Sequence, residues 1–289
     1  MADIWRSNAT KLGEQLAQEQ KVTTLPVRPI EIAESLGILV EPLPPGKKGV
    51  SGMLVESNNN FGIKYATYID NIGFQNFCVG HELGHYIIPG HYEQLLTDGH
   101  HESSAGFISG DRFELEADHF SAGFLMPGYL FDNAMNKVQN GLKAVDFLST
   151  ECETSFTATA IRYAQRTPDP LAIIVSEGQV IKYCFMSAEL REVKGLSWIK
   201  KGTRLSSGTV TSCFNKVEKN ILNGNRSEGE STLLDWFDCS LRYELYEEVV
   251  GLGEYGKTLT VLTLDSLPDQ EEVDDEDEMI ESWTPRFKR

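Results

Sequence analysis

The sequence lacks the patterns that mark secreted, membrane-spanning and nucleotide-binding proteins. Its five cysteines stand singly with no Cys-x-x-Cys pair, and residues 1–15 contain no apolar signal core. No stretch approaches the roughly 18 consecutive apolar residues of a membrane span. The segment 46–49 lacks the spacing and the Ser or Thr of a phosphate-binding loop. We therefore expect a cytoplasmic protein with free thiols and without membrane association.

Basic residues are also scarce. The chain has 43 Asp and Glu but only 26 Lys and Arg, which gives a formal net charge of −17. Nine carboxylates lie between 269 and 281, so that the segment 269–289 carries −6 and the other 268 residues carry −11. Autonomous nucleic-acid binding needs a basic surface that displaces counterions from phosphates, and this charge argues against it.

The length of 289 residues and the 40% content of hydrophobic side chains allow more than one domain. Helical periodicity dominates as far as Pro168-Asp169-Pro170, and strand patterns follow this boundary. Hairpins are predicted beyond it, pairing 171–176 with 180–186 and 241–250 with 257–264. The acidic segment 268–289 has no apolar period, and we expect it to be disordered.

The part before Pro168 is predicted to be mainly helical, with a small sheet. In chain order we expect a helix over 3–20, strands over 52–56 and 61–65, a helix over 74–88, a polar loop over 91–111 and a helix over 113–125. Apolar residues define the buried face expected of the first helix, namely Ile4, Trp5, Leu12 and Leu16. The sequence therefore predicts an α+β protein.

All six histidines lie within 39 residues, and His81-Glu82-Leu83-Gly84-His85 forms an HExxH sequence. One helical turn separates His81 from His85, so that both imidazoles reach one Zn²⁺ from the same face. Glu82 lies about 100° round the helix, near a zinc-bound water whose pKa falls to about 7. A carboxylate there takes the proton of the water and returns it to the leaving amine. The motif favours a hydrolase site over two histidines merely packed in a core.

Two residues are candidates for the third metal ligand. His91 has the spacing of the pattern HExxHxxGxxH, but Ile88 stands where that pattern has the glycine of a sharp turn. Glu114 is the better candidate, because it shares a helix face with Asp118, opposite the apolar stripe. From there Asp118 accepts a hydrogen bond from a ligand imidazole and fixes its tautomer. Glu116 lies about 200° from Glu114 and points away.

The other histidines are weaker candidates. His100 and His101 fall in the polar loop, where they are candidates for an oxyanion donor or a substrate contact, against the alternative that they are merely exposed. His119 faces another side of its helix than Asp118, which favours a structural role. The metal itself is expected to be one Zn²⁺ per chain, although a site of nitrogen and oxygen donors also accepts Mn²⁺ or Fe²⁺.

Two blocks together resemble the ImmA/IrrE family of metallo-endopeptidases. They are GHELGHYII at 80–88 and FELEADHFSAGFLMP at 113–127, and VRPIEIAESLGILVEP at 27–42 is similar to the family's N-terminal lead-in. Asp118 stands where the family has Asn or Asp, and Ser121 replaces an alanine. The resemblance implies a gluzincin-like site, with Glu82 as the general base and with His81, His85 and Glu114 on zinc.

The resemblance also implies a layout and a partner. It implies a zincin-like peptidase domain over 1–140, a helix-turn-helix-like segment over 141–168 and a sensor-like α/β domain over 169–267. The implied substrate is a helix-turn-helix repressor of the Xre type, cleaved in a stress response or a mobile element. A basic DNA-binding protein of that kind suits docking on a body that carries −11.

Three functions remain open at this point. The first is an endopeptidase that cleaves a protein partner, and the second is a zinc-binding sensor or regulator that binds a repressor without cleaving it. The third is a DNA-binding regulator that uses 142–167. This last function is the weakest, because the second helix of the segment offers only Arg162 and Arg166 to DNA. The sequence leaves the oligomeric state open.

Overall fold

The computed structural model describes residues 4–44, 49–97, 99–103, 111–237, 239 and 243–264. Helices and two separate β-sheets alternate along these ranges, which confirms the predicted α+β class. The chain forms two compact units, of which unit 1 comprises residues up to 139 together with 143–162. Unit 2 comprises 140–142 and the described residues from 163 onward. The division predicted at 140/141 and 168/169 stays a prediction.

Unit 1 contains the first eight helices and the first four strands. In chain order these are α1 Ile4–Glu19, α2 Pro29–Ser35, β1 Leu39–Pro42, β2 Gly52–Ser57, β3 Asn60–Tyr65, α3 Ile72–Ile87, α4 His91–Leu95, β4 His100–Ser103, α5 Arg112–Leu125, α6 Gly128–Met135, α7 Leu142–Cys152 and α8 Phe156–Arg166, with the ends of α7 and α8 at the unit boundary. The helices predicted over 74–88 and 113–125 are thus confirmed as α3 and α5.

The sheet of unit 1 has the strand order β1-β3-β2-β4. The two strands predicted over 52–56 and 61–65 are confirmed as β2 and β3, which form a hairpin; Asn58 and Asn59 adopt positive φ at its turn, as a type I′ loop requires. Strand β1 runs parallel to β3, whereas β4 pairs antiparallel with β2 and lies at the edge of the described sheet.

The prediction of a polar loop over 91–111 was wrong for two parts of this segment. Residues His91–Leu95 form α4, and His100–Ser103 form β4, while 104–110 lie outside the described residues. The segment His-His-Glu-Ser has no alternation of apolar and polar side chains, so its sequence gives no strand signal. Its strand conformation comes instead from backbone pairing with β2, in which Leu54 lies opposite His101.

Helix α1 packs closely against α5 through small residues. A Cβ atom at Gly13 would overlap the Phe120 carbonyl, and one at Gly123 would overlap the Thr10 carbonyl. The buried face of α1 is therefore Ala9, Gly13, Leu16 and Ala17. The predicted face was wrong in part, because Ile4 is 63% exposed. Small side chains allow the two backbones to touch, and a pattern of large apolar residues does not reveal such a contact.

Most of the segment 142–167 lies within unit 1. Arg162 is buried, donates to the Met126 carbonyl oxygen at 3.1 Å and is ion-paired with Glu14. This arginine is thus committed to the interior of unit 1 and is not presented to a DNA duplex.

Unit 2 is built on an antiparallel sheet with the order β6-β5-β9-β8-β7. Its elements are β5 Leu171–Glu177, β6 Val180–Met186, α9 Ala188–Arg191, α10 Val210–Asn215, α11 Glu218–Leu222, β7 Arg226–Thr232, α12 Leu233–Trp236, β8 Glu244–Gly251, a 3₁₀ turn Gly253–Tyr255 and β9 Thr258–Thr263. Both hairpins predicted beyond Pro168 are confirmed. The predicted disorder of 268–289 lies outside the described residues. None of the helices in the described ranges combines the length and apolar character of a membrane span.

The contact between α1 and α5 predicts the effect of one added methyl group. Replacing Gly123 with alanine forces the two backbones apart, and we expect the free energy of unfolding to fall by at least about 2 kcal/mol. Chemical denaturation measures this change. Gly208→Ala is the control, since nothing lies within 4 Å of a Cβ there. Equal stability of Gly123→Ala and the wild type would show that the helices do not pack as described.

Candidate metal centre

Helix α3 supplies two fully buried imidazoles. Its first turn is capped by Asn71, whose side chain accepts a hydrogen bond from the Phe74 amide at 2.9 Å. His81 and His85 follow one turn apart, and their Nε2 atoms lie 3.0 Å from each other. Both imidazoles therefore turn the same ring nitrogen towards one point, as a shared metal ion requires.

Helix α5 brings the third group to this point. Asp111 caps the helix by accepting from the Phe113 amide at 2.8 Å, which places Glu114 in the first turn. The Glu114 carboxylate oxygens lie 3.5 Å from His81 Nε2 and 3.3 Å from His85 Nε2. Ligands about 2.0–2.1 Å from a tetrahedral ion are separated by roughly 3.3 Å, so the three donors have the spacing of a metal site. Within the described ranges, no other set of three or more His, Cys, Asp or Glu side chains has its ligand atoms close enough together to share a metal ion.

The carboxylate of Glu82 is the strongest indication that another group belongs here. It is fully buried, and among the described residues neither oxygen has a donor at hydrogen-bonding distance, although the Ser103 hydroxyl is near enough to lower its pKa. A buried carboxylate without donors is costly, whereas a divalent ion with a water molecule supplies the missing charge and the missing donor. The residues present therefore fit a divalent metal.

Asp118 lies where the sequence predicts it. Its Oδ1 is 2.8 Å from His81 Nδ1, and the carboxylate is buried. Because this carboxylate accepts the Nδ1 proton, it turns the Nε2 atom of His81 towards the metal position, where a binding metal ion would displace the Nε2 proton. Burial lowers the pKa of His81, but the hydrogen bonds with Asp118 and Glu114 outweigh it and raise the pKa to about 10.

The pKa values of Glu82 and His85, the two other site groups on α3, are shifted in opposite directions. Burial raises the pKa of the Glu82 carboxyl to about 7, although the charge of His81 opposes the rise. Burial lowers the pKa of His85 to about 3, so that its imidazole is neutral at physiological pH and ready to bind a metal.

The carboxylate of Glu114 stays ionised. Burial alone would raise its pKa, but the neighbouring imidazoles of His101, His81 and His85 hold the pKa far below its usual range. The carboxylate is thus a negative ligand for a cation over the whole physiological range of pH.

The other histidines of the predicted site have different surroundings. His101 Nε2 lies 2.9 Å from Glu114 Oε1, beside the metal group, whereas His100 is exposed on β4. The roles of both as oxyanion donors or substrate contacts stay predictions. His119 packs edge-on against Trp5, with ring centroids 6.1 Å apart, which agrees with a structural role.

His91 lies beside the site but does not face the metal position. Its Nδ1 atom is 3.2 Å from His85 Nδ1, on the far side of that ring from Nε2. Its Nε2 atom is 2.9 Å from Glu116 Oε2. Burial lowers the pKa of His91, so the ring is neutral. As the alternative metal ligand His91 is therefore the weaker of the two candidates, and Glu114 is the one that the structure joins to the histidine pair.

Sequence reasoning missed Gly52, the first residue of β2. A Cβ atom at this position would overlap the Glu82 carboxylate, so only glycine leaves room for it. A glycine inside a strand often marks the close approach of another group, and this signal was present in the sequence.

The raised pKa of Glu82 predicts a pH-dependent gain of stability when its charge is removed. Folded Glu82 holds its proton up to about pH 7, whereas an unfolded glutamate releases it near its ordinary pKa of 4.5, so rising pH favours unfolding. The advantage of Glu82→Gln in free energy of unfolding should grow by about 2–3 kcal/mol from about pH 5 to about pH 8. Urea denaturation of the metal-free proteins measures it, with Glu34→Gln at the surface as control. An advantage that is the same at both pH values would contradict the burial of an ionised Glu82.

Comparison with known proteins agrees with this geometry. The fold is similar to that of a solved Mycobacterium tuberculosis transcriptional regulator, with a TM-score of 0.54 and 15% sequence identity over 89% of this chain and 76% of that chain. No curated protein matches the sequence. Residues 33–163 match the family model of peptidase M78, described as the IrrE N-terminal-like domain. This match over 33–163 confirms the resemblance to the ImmA/IrrE family.

Proposed function

We propose that the protein is a zinc-dependent endopeptidase that cleaves a helix-turn-helix repressor. The observation that carries the catalytic part is the position of Glu82, buried and without a hydrogen-bond partner next to His81, His85 and Glu114. A structural metal site has no use for such a carboxylate, because the group lowers stability and holds nothing in place. A hydrolytic site needs it as a base.

The chain's own residues would divide the work as follows. His81, His85 and Glu114 would hold the zinc ion, which when bound supplies a Lewis acid and an acidified water. Glu82 would take a proton from the attacking water and return it to the leaving amine. Its pKa of about 7 suits both transfers near neutral pH, because a carboxyl group with this pKa takes up and releases a proton at little cost in free energy. Asp118 would hold the His81 ring in the tautomer that the metal needs.

An extended peptide substrate would bind along β4. This strand is the edge of the described sheet, and edge strands accept a further strand through backbone hydrogen bonds. His101 on β4 contacts the carboxylate of Glu114, so a strand added at this edge would pass next to the metal group. Backbone recognition of this kind suits an enzyme that cuts a protein chain.

The choice of a repressor as substrate is supported by charge and by family. The net charge of −11 outside 269–289 favours docking of a basic DNA-binding protein. The family model that matches 33–163 and the similarity to a transcriptional regulator point towards the control of transcription. The alternative is a sensor that binds a repressor without cutting it, for which the additional unit 2 is the motivation.

Substitution of Glu82 by glutamine separates these two functions. Loss of the base should reduce cleavage by at least about 100-fold while one zinc ion per chain stays bound. The assay incubates the zinc-loaded protein with a helix-turn-helix protein encoded by a neighbouring gene and follows its fragments by mass spectrometry. Glu34→Gln at the surface is the control. Cleavage by Glu82→Gln at the wild-type rate would exclude Glu82 as the base. If the variant instead released the repressor from its operator as well as the wild type does, the sensor would be the correct alternative.

A second substitution tests whether the space beside Glu82 matters. Gly52→Ala would displace the carboxylate without touching a metal ligand, so we expect kcat to fall at least about 10-fold with unchanged zinc content. Gly62→Ala on the adjacent strand is the matched control, because a Cβ there meets a Val55 methyl group at 3.0 Å and the Leu39 carbonyl oxygen at an ordinary 3.5 Å, and not the Glu82 carboxylate. Steady-state kinetics and metal analysis give both values. A wild-type kcat in Gly52→Ala would mean that the position of Glu82 is not restricted in this way.

A further inference from the structure

We propose that His91 is a positioning residue for the metal ligand His85, and that Glu116 and Arg112 hold it in place. The inference rests on the proposed metal site but not on peptidase activity. It assigns a function to the buried groups on α4 and α5 that the mechanism above does not use.

The two ligand histidines have corresponding surroundings. Each turns Nε2 towards the metal position and Nδ1 towards a second buried group. For His81 this group is the carboxylate of Asp118, at 2.8 Å. For His85 it is the Nδ1 atom of His91, at 3.2 Å. A ligand imidazole needs an acceptor for its Nδ1 proton, because the acceptor fixes both the tautomer and the plane of the ring.

The hydrogen bonds around His91 specify which atom donates. An imidazole acts as an acceptor at one nitrogen when the other nitrogen carries the proton. His91 Nε2 lies 2.9 Å from Glu116 Oε2, and a carboxylate there accepts that proton. His91 Nδ1 is then left with a lone pair and accepts the Nδ1 proton of His85. Both ring nitrogens of His91 are thus used, and neither is free for a metal.

Glu116 is in turn fixed by a charged partner. Arg112 Nε donates to Glu116 Oε1 at 2.9 Å, one helical turn away on α5. The Arg112 guanidinium also lies over the ring of Trp5, 5.8 Å from its centroid. A guanidinium that holds the carboxylate keeps it ionised and oriented as the acceptor of the His91 proton. The series Arg112, Glu116, His91 and His85 therefore runs from the surface of unit 1 to the metal position.

The chain turn after α3 explains why His91 arrives at Nδ1. Helix α3 ends before Pro89, and Gly90 adopts a positive φ of 86° that other residues rarely tolerate. Helix α4 then starts at His91. The imidazole of His91 packs edge-on against the ring of Phe113, with centroids 4.7 Å apart. The glycine of the turn lies two residues later than in the pattern HExxHxxGxxH. His91 therefore reaches the Nδ1 side of the His85 ring and not the metal position at Nε2.

Three substitutions of His91 distinguish the two ends of this ring. Asparagine places its side-chain oxygen near the position of Nδ1, glutamine places a polar atom near Nε2, and phenylalanine keeps only the volume of the ring. We expect His91→Asn to retain zinc affinity within about 3-fold, whereas His91→Gln and His91→Phe lose about 10–100-fold. Competition with a chromophoric chelator measures the affinities, and His100→Phe on β4 is the exposed control.

The coordination itself is a second readout. X-ray absorption of the zinc-loaded proteins should give two imidazoles per zinc in the wild type and in every His91 variant. A decrease by one imidazole in the variants would make His91 a ligand and overturn the proposal. An unchanged affinity in His91→Phe, or an equal loss in His91→Asn, would overturn it as well, because the acceptor at Nδ1 would then have no effect.

Glu116→Ala keeps the test valid if a His91 variant fails to fold. It leaves His91 in place but removes the acceptor of its proton, and we expect a loss of zinc affinity of about 10-fold with two imidazoles retained. Wild-type affinity in Glu116→Ala would contradict the series. None of these readouts needs a substrate. A protein that binds zinc but cleaves nothing would contradict the proposed function and leave the role of His91 intact. Equal zinc affinities in all variants would contradict the role of His91 and leave the proposed function intact.

Discussion

The close packing of α3 against α5 sets the distance between the two parts of the metal site. A Cβ at Gly80 would meet the Ser121 hydroxyl, and Gly84 already lies against Ala117, so the helices approach through small residues. The Ser121 hydroxyl also donates to the Phe77 carbonyl oxygen at 2.9 Å. This contact brings the carboxylates of α5 to the imidazoles of α3, and α1 packs against α5 in the same way through its Gly13 and through Gly123 of α5.

The site concentrates buried ionisable groups, and all but one of them are paired. Glu114 Oε1 lies 2.9 Å from His101 Nε2, its carboxylate oxygens also face the His81 and His85 rings, and Asp118 holds His81. Glu82 is the exception, since its carboxylate is buried without a partner among the described residues. Paired groups define the geometry, while the unpaired one lowers the stability of the fold. Such an imbalance is typical of active sites, where stability is given up for chemistry.

Sequence periodicity predicted the features that one helix determines by itself. The spacing of His81 and His85, and the shared face of Glu114 and Asp118, follow from helical pitch, so they could be predicted without a structure. The acceptance of the His85 proton by His91 and the space that Gly52 leaves depend on contacts between elements, which no local pattern encodes. The same holds for β4, whose strand conformation arises from pairing with β2. Local signals thus identified the candidate metal ligands, and tertiary contacts determined what surrounds them.

The central claim is that His81, His85 and Glu114 together bind one metal ion. A crystal structure of the zinc-loaded protein, with anomalous diffraction recorded at the zinc absorption edge, tests it most directly. The account predicts a single anomalous peak about 2.0–2.2 Å from the Nε2 atoms of both histidines and from a carboxylate oxygen of Glu114. No peak at this position, or a peak bonded to His91 in place of Glu114, would contradict it.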